Sequence, residues 1–159
     1  MRHWLMKSEP GTYSFADLMA EADRTTFWHG VRNFQARNLM REMRVGDAVL
    51  FYHSGGGEPH VAGVARVARE AYPDPTAWDP KSEYHDPGSS ADDPRWLMVD
   101  VQGERQLPAP VTLAELKANP KLAAMKVVQR GQRLSVQPVT AEEYAEVLRM
   151  AAAKARAGG

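Results

Sequence analysis

The stretch AVLFYHSGGGEPHVAGVARVAREAY, Ala48 to Tyr72, decides the fold. Ala48–Ser54 is an apolar run with the character of a buried strand. Gly55–Pro59, GGGEP, then makes a flexible hairpin connection into a second strand, His60–Tyr72. The small residues Ala62, Gly63 and Ala65 predict that this second strand bends or meets a neighbour closely. Two strands joined in this way set an antiparallel frame, and the flanking sequence is read outward from it.

Upstream, Val45-Gly46-Asp47 is a turn. Before it, a helix is expected over about Asn33 to Met43, because Ala36, Leu39, Met40 and Met43 recur at helical spacing. Arg37, Arg41 and Arg44 repeat on another face of that helix, either as a solvated surface or as a basic stripe. Ser14 reads as the N-cap of a short helix, FADLMAEA, with Asp17 placed favourably for the helix dipole. Residues 3–8, HWLMKS, have strand character and stop at Glu9-Pro10-Gly11.

Downstream, residues 73–95 hold five prolines and a cluster of acids, an irregular length uncommon in a compact domain unless functional or mobile. WLMVDVQGERQL, from Trp96, resumes strand character. Thr112–Glu115 is a capping box whose helix Asn119-Pro120 closes. Thr140–Glu143 is another, opening a C-terminal helix to about residue 155. Between them, one or two short strands are expected around Gly131. Five to seven strands and three or four helices, without regular βαβ alternation, predict an α+β domain on a curved, mostly antiparallel sheet or small barrel.

A chain of 159 residues suits one domain, expected to span 1–159. Cysteine is absent, which excludes a disulfide framework and Cys-ligated metal and fits a reducing compartment. The N-terminus has no signal-peptide pattern, and no apolar run approaches the ~18–20 residues of a membrane span. A cytoplasmic protein without membrane partners is therefore expected. The net charge of zero hides segregation: Lys and Arg number 9 against 8 acids in residues 1–70, 2 against 7 in 71–100, and 9 against 5 in 101–159. That asymmetry permits a local basic face.

Enzyme signatures are missing: no G-x-G-x-x-G after a strand, no Walker loop, no H-E-x-x-H, no G-x-S-x-G. GGGEP lacks the Lys-Ser/Thr and helix of a phosphate loop. His3, His29, His53, His60 and His85 share no close ligand spacing, and nothing orients a Ser-His-Asp relay. More telling are aromatics beside polar groups: Trp28 before His29-Gly30, Phe51-Tyr52 before His53-Ser54, and Tyr72, Trp78 and Tyr84 in the acidic segment. Flat rings stack on a nucleobase while fixed polar groups read its edge. The plain alternative for each ring is a place in the core.

Several stretches together resemble the EVE domain, a PUA-like family: WLMKSEP (Trp4–Pro10), WHGVRNFQARN (Trp28–Asn38), VGDAVLFYHS (Val45–Ser54), GVARV (Gly63–Val67), YPD (Tyr72–Asp74), WLMVDV (Trp96–Val101) and RLSVQPV (Arg133–Val139). They run in the family's order over nearly the whole chain. The resemblance implies a PUA-like pseudobarrel, a curved mixed sheet with flanking helices. EVE domains are similar to YTH domains, which read methylated adenine in RNA. The family is regarded as reading modified bases, particularly modified cytosine in DNA, or modified RNA; many prokaryotic members stand alone, as is expected of this chain.

By that resemblance Lys7, Ser8 and Glu9 line the pocket mouth, Trp28 is a wall and Val31, Arg32 and Asn33 form its edge. Phe51, Tyr52, His53 and Ser54 end the strand beneath, and Arg133, Leu134 and Ser135 close the other side. Tyr52, Tyr72, Trp78 or Tyr84 supplies a second aromatic wall. Lys7, Arg32, Arg37 and Arg133 hold phosphates. The partner implied is nucleic acid carrying a modified base, bound without cofactor, metal or catalysis. The competing expectation is a small hydrolase of modified nucleosides, of the ASCH type, with Lys7, Glu9 and Tyr52 as acid–base groups.

Overall fold

The computed structural model describes residues 1–158. Six strands form one mixed sheet in the order β2-β5-β4-β3-β1-β6. They are β1 (His3–Ser8), β2 (Thr25–Trp28), β3 (Ala48–His53), β4 (His60–Pro73), β5 (Leu97–Thr112) and β6 (Val136–Val139). The β3–β4 hairpin pairs antiparallel with His53 opposite His60, as the GGGEP connection predicts. Only β1 and β3 run parallel, with Leu5 opposite Leu50. Register shifts interrupt β4 against β3 and, four times, against β5, and such bulges bend and twist a sheet. Gly63 sits at one of them, where an added Cβ would collide with the Phe15 ring. The run of small residues thus serves both of its predicted ends, a bent strand and a close approach.

Helices cover both faces. Four are α-helical: α1 (Phe15–Ala20), α2 (Phe34–Arg41), α3 (Leu113–Ala118) and α4 (Ala141–Gly158). One core joins Trp4, Met6, Val49 and Phe51 of the sheet to Phe15 and Leu18 of α1 and Ala36 and Met40 of α2. The other joins Leu5, Leu50 and Tyr52 to Leu116 of α3 and Val147 and Ala151 of α4. The central strand β3 is buried on both faces, which is why its sequence is continuously apolar rather than alternating. Ser14 and Thr112 make complete capping boxes with Asp17 and Glu115. No helix among the described residues is long and apolar enough to cross a membrane.

Two local features are not visible in the sequence patterns. Thr25–Trp28 is an edge strand, and the stretch before Gly131 forms no strand: Lys126–Val128 is a 3-10 turn that buries Val127. Only β6 forms in that region.

Candidate functional site

The two edges of the sheet meet at one cleft. It has a volume of about 830 Å3 and draws on β2 at one edge and on Ser135, just before β6, at the other. The end of β1 contributes Lys7, Ser8 and Glu9. The loop before α1 gives Thr12 and Tyr13, and the chain from Thr25 to Arg32 forms a long wall. Glu83 and Tyr84 arrive from the irregular acidic segment. The volume falls within the ~300–1,000 Å3 usual for small-ligand sites.

The wall after β2 is held by one buried carboxylate. Asp74 is wholly buried, and its Oδ2 accepts the Gly30 N–H at 2.8 Å and an Arg32 Nη1–H at 3.1 Å. Its Oδ1 accepts the Thr76 N–H at 2.9 Å and the Thr76 hydroxyl at 2.6 Å. Burial pushes this carboxyl up, but the bonds from Thr76, Gly30 and Arg32 outweigh burial and hold it below the usual carboxylate range. Arg32 in turn donates from Nε to the Tyr84 carbonyl at 2.9 Å and from Nη2 to the Thr76 hydroxyl at 3.1 Å. One ion pair therefore fixes the Trp28–Arg32 lip and carries Tyr84 to it from the acidic segment.

Tyr13, Phe27, Trp28, His29 and Tyr84 bring rings to this space. Trp28 is half-buried and rests edge-on against Phe51, with centroids 5.5 Å apart and planes at 81°. Tyr84 meets His29 edge-on at 5.3 Å. Gly30, at φ +82°, presses its Cα against the Tyr84 ring: a Cβ there would stand 2.8 Å from two ring carbons. A positive φ and that close approach make glycine the residue suited to this position. Tyr13 donates its hydroxyl to Glu21 at 3.1 Å, and the Ser8 hydroxyl donates to the Tyr13 carbonyl at 2.5 Å, tying the loop to β1.

The charge inside is not that of a phosphate pocket. Glu9, Glu21 and Glu83 line it, Arg32 is already committed to Asp74, and Lys7 remains. Lys7 Nζ donates to the Gln132 carbonyl at 3.4 Å, and burial lowers its pKa. A phosphate here would face three carboxylates. An amino group on a base edge would find acceptors instead, as carboxylates take the exocyclic amine of cytosine.

Of the residues expected at the site, Lys7, Ser8, Glu9, Trp28, Val31, Arg32 and Ser135 line the cleft. The others serve elsewhere. Phe51 is completely buried and supports Trp28 from below. Tyr52 points to the α3–α4 core, 2% exposed, with burial pushing its hydroxyl up to about 12, so it is not a cleft wall. Lys7 and Glu9 line the cleft without Tyr52, although Tyr52 lies opposite Lys7 across the β1–β3 pair and the Lys7 Nζ stands 5.8 Å from its ring. Asn33 caps α2, its Oδ1 accepting the Ala36 N–H at 3.0 Å. Tyr72 gives its hydroxyl to Asp100 on β5 and lies under the Arg69 guanidinium. Ser54 donates its N–H to the Ser8 carbonyl at 2.9 Å. Leu134 packs on the α1–α2 core, and Arg133 is exposed outside the cleft. Four of Arg32's five N–H groups are taken within the protein by Tyr84, Val31, Asp74 and Thr76, which leaves one for any further partner. Arg37 stands outside the cleft, beside Phe34.

His53 belongs to a second, smaller cavity. Its Nε2 accepts the Phe15 N–H at 3.0 Å, so the proton of the neutral ring is on Nδ1 and points to His60 Nε2 at 3.2 Å. His60 Nδ1–H then donates to the Glu58 carbonyl at 2.9 Å. Each tautomer is fixed by the next bond.

The match to a family follows this geometry: the EVE domain model covers residues 2–150. The chain belongs to the EVE domain family. This EVE domain is similar to human thymocyte nuclear protein 1, with 44% identity over 163 residues, covering 92% of this chain and 72% of that protein. It also superposes on the crystal structure of human THYN1 protein in complex with 5-methylcytosine-containing DNA, with a TM-score of 0.89 and 43% identity. The overlap covers 95% of this chain and 98% of that one. A YTH domain from Zygosaccharomyces rouxii shares the fold at a TM-score of 0.55 and 17% identity, over 94% of this chain and 86% of that one.

Proposed function

We propose that this chain, a single EVE domain acting in the cytoplasm, is a non-catalytic reader that takes a modified nucleobase into the cleft between β1, β2 and Tyr84. The base in view is a modified cytosine in DNA, with a modified base in RNA as the related partner. The observation that carries this reading is the pairing of stacking rings with carboxylates inside the cleft: Trp28, Tyr13 and Tyr84 offer π-faces, and Glu9, Glu21 and Glu83 accept from an amino edge. The similarity to a human protein solved with 5-methylcytosine-containing DNA supports it. A base is flat and uncharged and suits this cleft; its phosphate suits only the outside, where Arg37 and Arg133 stand. A methyl group adds apolar area worth roughly 25 cal/mol per Å2 when buried beside the rings.

Fluorescence anisotropy against matched DNA and RNA oligonucleotides, modified and plain, at one fixed salt concentration tests the proposal. Tighter binding of a 5-methylcytosine oligonucleotide, or of one modified RNA, over its plain counterpart is expected. Equal affinity across the panel would end it.

A further inference from the structure

Phe34 is one of two aromatic rings that stand about half exposed, at 52%, the other being Phe27 on the cleft wall. Phe34 lies outside the cleft, yet it is braced. Its ring stacks on Trp96 with centroids 4.7 Å apart and planes at 24°. Trp96 is itself buried and anchored, donating its Nε1–H to Asp86 at 2.6 Å. As the single large apolar side chain exposed at this spot, Phe34 offers little area for docking a protein.

The charges around it are cationic. Arg37, one turn along α2, places its guanidinium carbon 4.8 Å from the Phe34 centroid. Arg41 follows a turn later, and Arg95 offers its carbonyl to Arg37 Nη1–H at 3.0 Å. Burial, and then the charges of Arg41 and Arg95, disfavour the Arg37 cation, so the three guanidinium groups repel one another. Arg95 is compensated by Asp86 at 3.2 Å; Arg37 donates to the Asn38 Oδ1 from Nε at 3.1 Å and from Nη2 at 2.8 Å, and neither it nor Arg41 has a carboxylate partner among the described residues. The face is also joined to the cleft. The Arg32 guanidinium lies 5.7 Å from the Tyr84 ring and 5.6 Å from the Trp96 ring, so the cleft wall and the base of the Phe34 stack share one cation.

We infer that Phe34, with Arg37 and Arg41, is a second contact for the same nucleic acid: Trp96 backs the Phe34 ring and the Arg37 guanidinium lies over it, so a nucleotide flanking the one in the cleft stacks on that Arg37–Phe34 pair while Arg41 holds its phosphate. This rests on the base-in-cleft reading and gives the strand its path, out past Tyr84 and over the start of α2. Stacking on an aromatic ring or a guanidinium plane is tolerant of base identity, so the platform adds affinity without choosing the base.

The test is anisotropy on a DNA duplex carrying one 5-methylcytosine and on its plain twin, with wild type, Phe34→Ala, Phe34→Tyr and Arg41→Ala over a salt series. Loss of one stacked base at ~1–3 kcal/mol corresponds to about 5- to 150-fold weaker binding. Phe34→Ala is expected to weaken both duplexes by such a factor and to leave their ratio unchanged, while Phe34→Tyr restores wild-type affinity. Arg41→Ala should reduce the slope of log affinity against log salt by about 0.9. Wild-type affinity in Phe34→Ala, or a changed modified-to-plain ratio, overturns the platform. An unchanged salt slope in Arg41→Ala removes the phosphate contact. Wild type that fails to distinguish the duplexes fails the modified-cytosine form of the cleft reading, a result separable from all of these.

Discussion

Asp74→Ala should be the most damaging single change near the cleft. In the folded protein this carboxylate is wholly buried and meets the Arg32 guanidinium, whose side chain is 21% exposed, at 3.1 Å. Alanine leaves that cation without its counter-charge and strands the Gly30 N–H. Removing one partner of a buried pair costs about 3–5 kcal/mol, mostly the penalty of the orphaned charge. With ~2–4 °C per kcal/mol for a domain of this size, the midpoint of thermal unfolding should fall on the order of 10 °C. Asp74→Asn keeps acceptor oxygen but not charge, and should lose about 1.5–3 kcal/mol. The informative variant is the double one, Asp74→Ala with Arg32→Met. Neutralising the orphan should recover part of the loss, so the two substitutions are strongly non-additive. Urea denaturation of wild type, Asp74→Ala, Arg32→Met and the double variant measures this directly. A cost below ~1 kcal/mol for Asp74→Ala, or simple additivity in the double variant, would refute the clamp.

Gly30→Ala places a methyl group at 2.8 Å from the Tyr84 ring with φ at +82°, so it should cost ~1–2 kcal/mol and displace Tyr84 from the cleft; wild-type stability in urea would contradict this. The His53–His60 chain predicts a pH effect of known sign. Burial first, and the His60 charge second, hold the His53 imidazole below its ordinary ~6.5, so its contribution is complete above that pH. As pH falls through the folded pKa, the unfolded chain has taken up the extra proton and stability declines. His53→Gln, which can still accept the Phe15 N–H, should flatten urea midpoints between pH 7.5 and 5.5 relative to wild type; parallel profiles would contradict the relay.

What the sequence makes legible here follows from how local each signal is. The N-cap at Ser14, the capping box at Thr112, the Ala36–Met40–Met43 stripe and the β3–β4 hairpin are encoded within a few residues, and each forms as its pattern predicts. β2 escapes notice because four residues at a sheet edge, none of them fully buried, show no alternation. Val127 and Val128 look like a strand, but a 3-10 turn satisfies the same demand for burial. At the cleft, Trp28 and the Lys7–Glu9 segment are visible from motif and position. Asp74 is not assigned to the site, because one acid in an acidic, proline-rich segment reads as surface until Arg32, 42 residues away, is seen beside it. Tyr52 misleads for the opposite reason: in a strand buried on both faces, neighbours in sequence serve different cores. Tyr84 stands as one of four candidate rings, and only the Arg32–Tyr84 bond selects it.

The central claim is that a base enters between Trp28 and Tyr84. The most direct measurement is the affinity ratio for a 5-methylcytosine duplex over its plain twin, taken at one salt concentration for wild type, Trp28→Ala and Tyr84→Ala, with thermal unfolding as the control for folding. Loss of a stacking face worth ~1–3 kcal/mol should collapse the ratio toward one in both variants. A Trp28→Ala protein that stays folded and keeps the wild-type ratio would contradict the account.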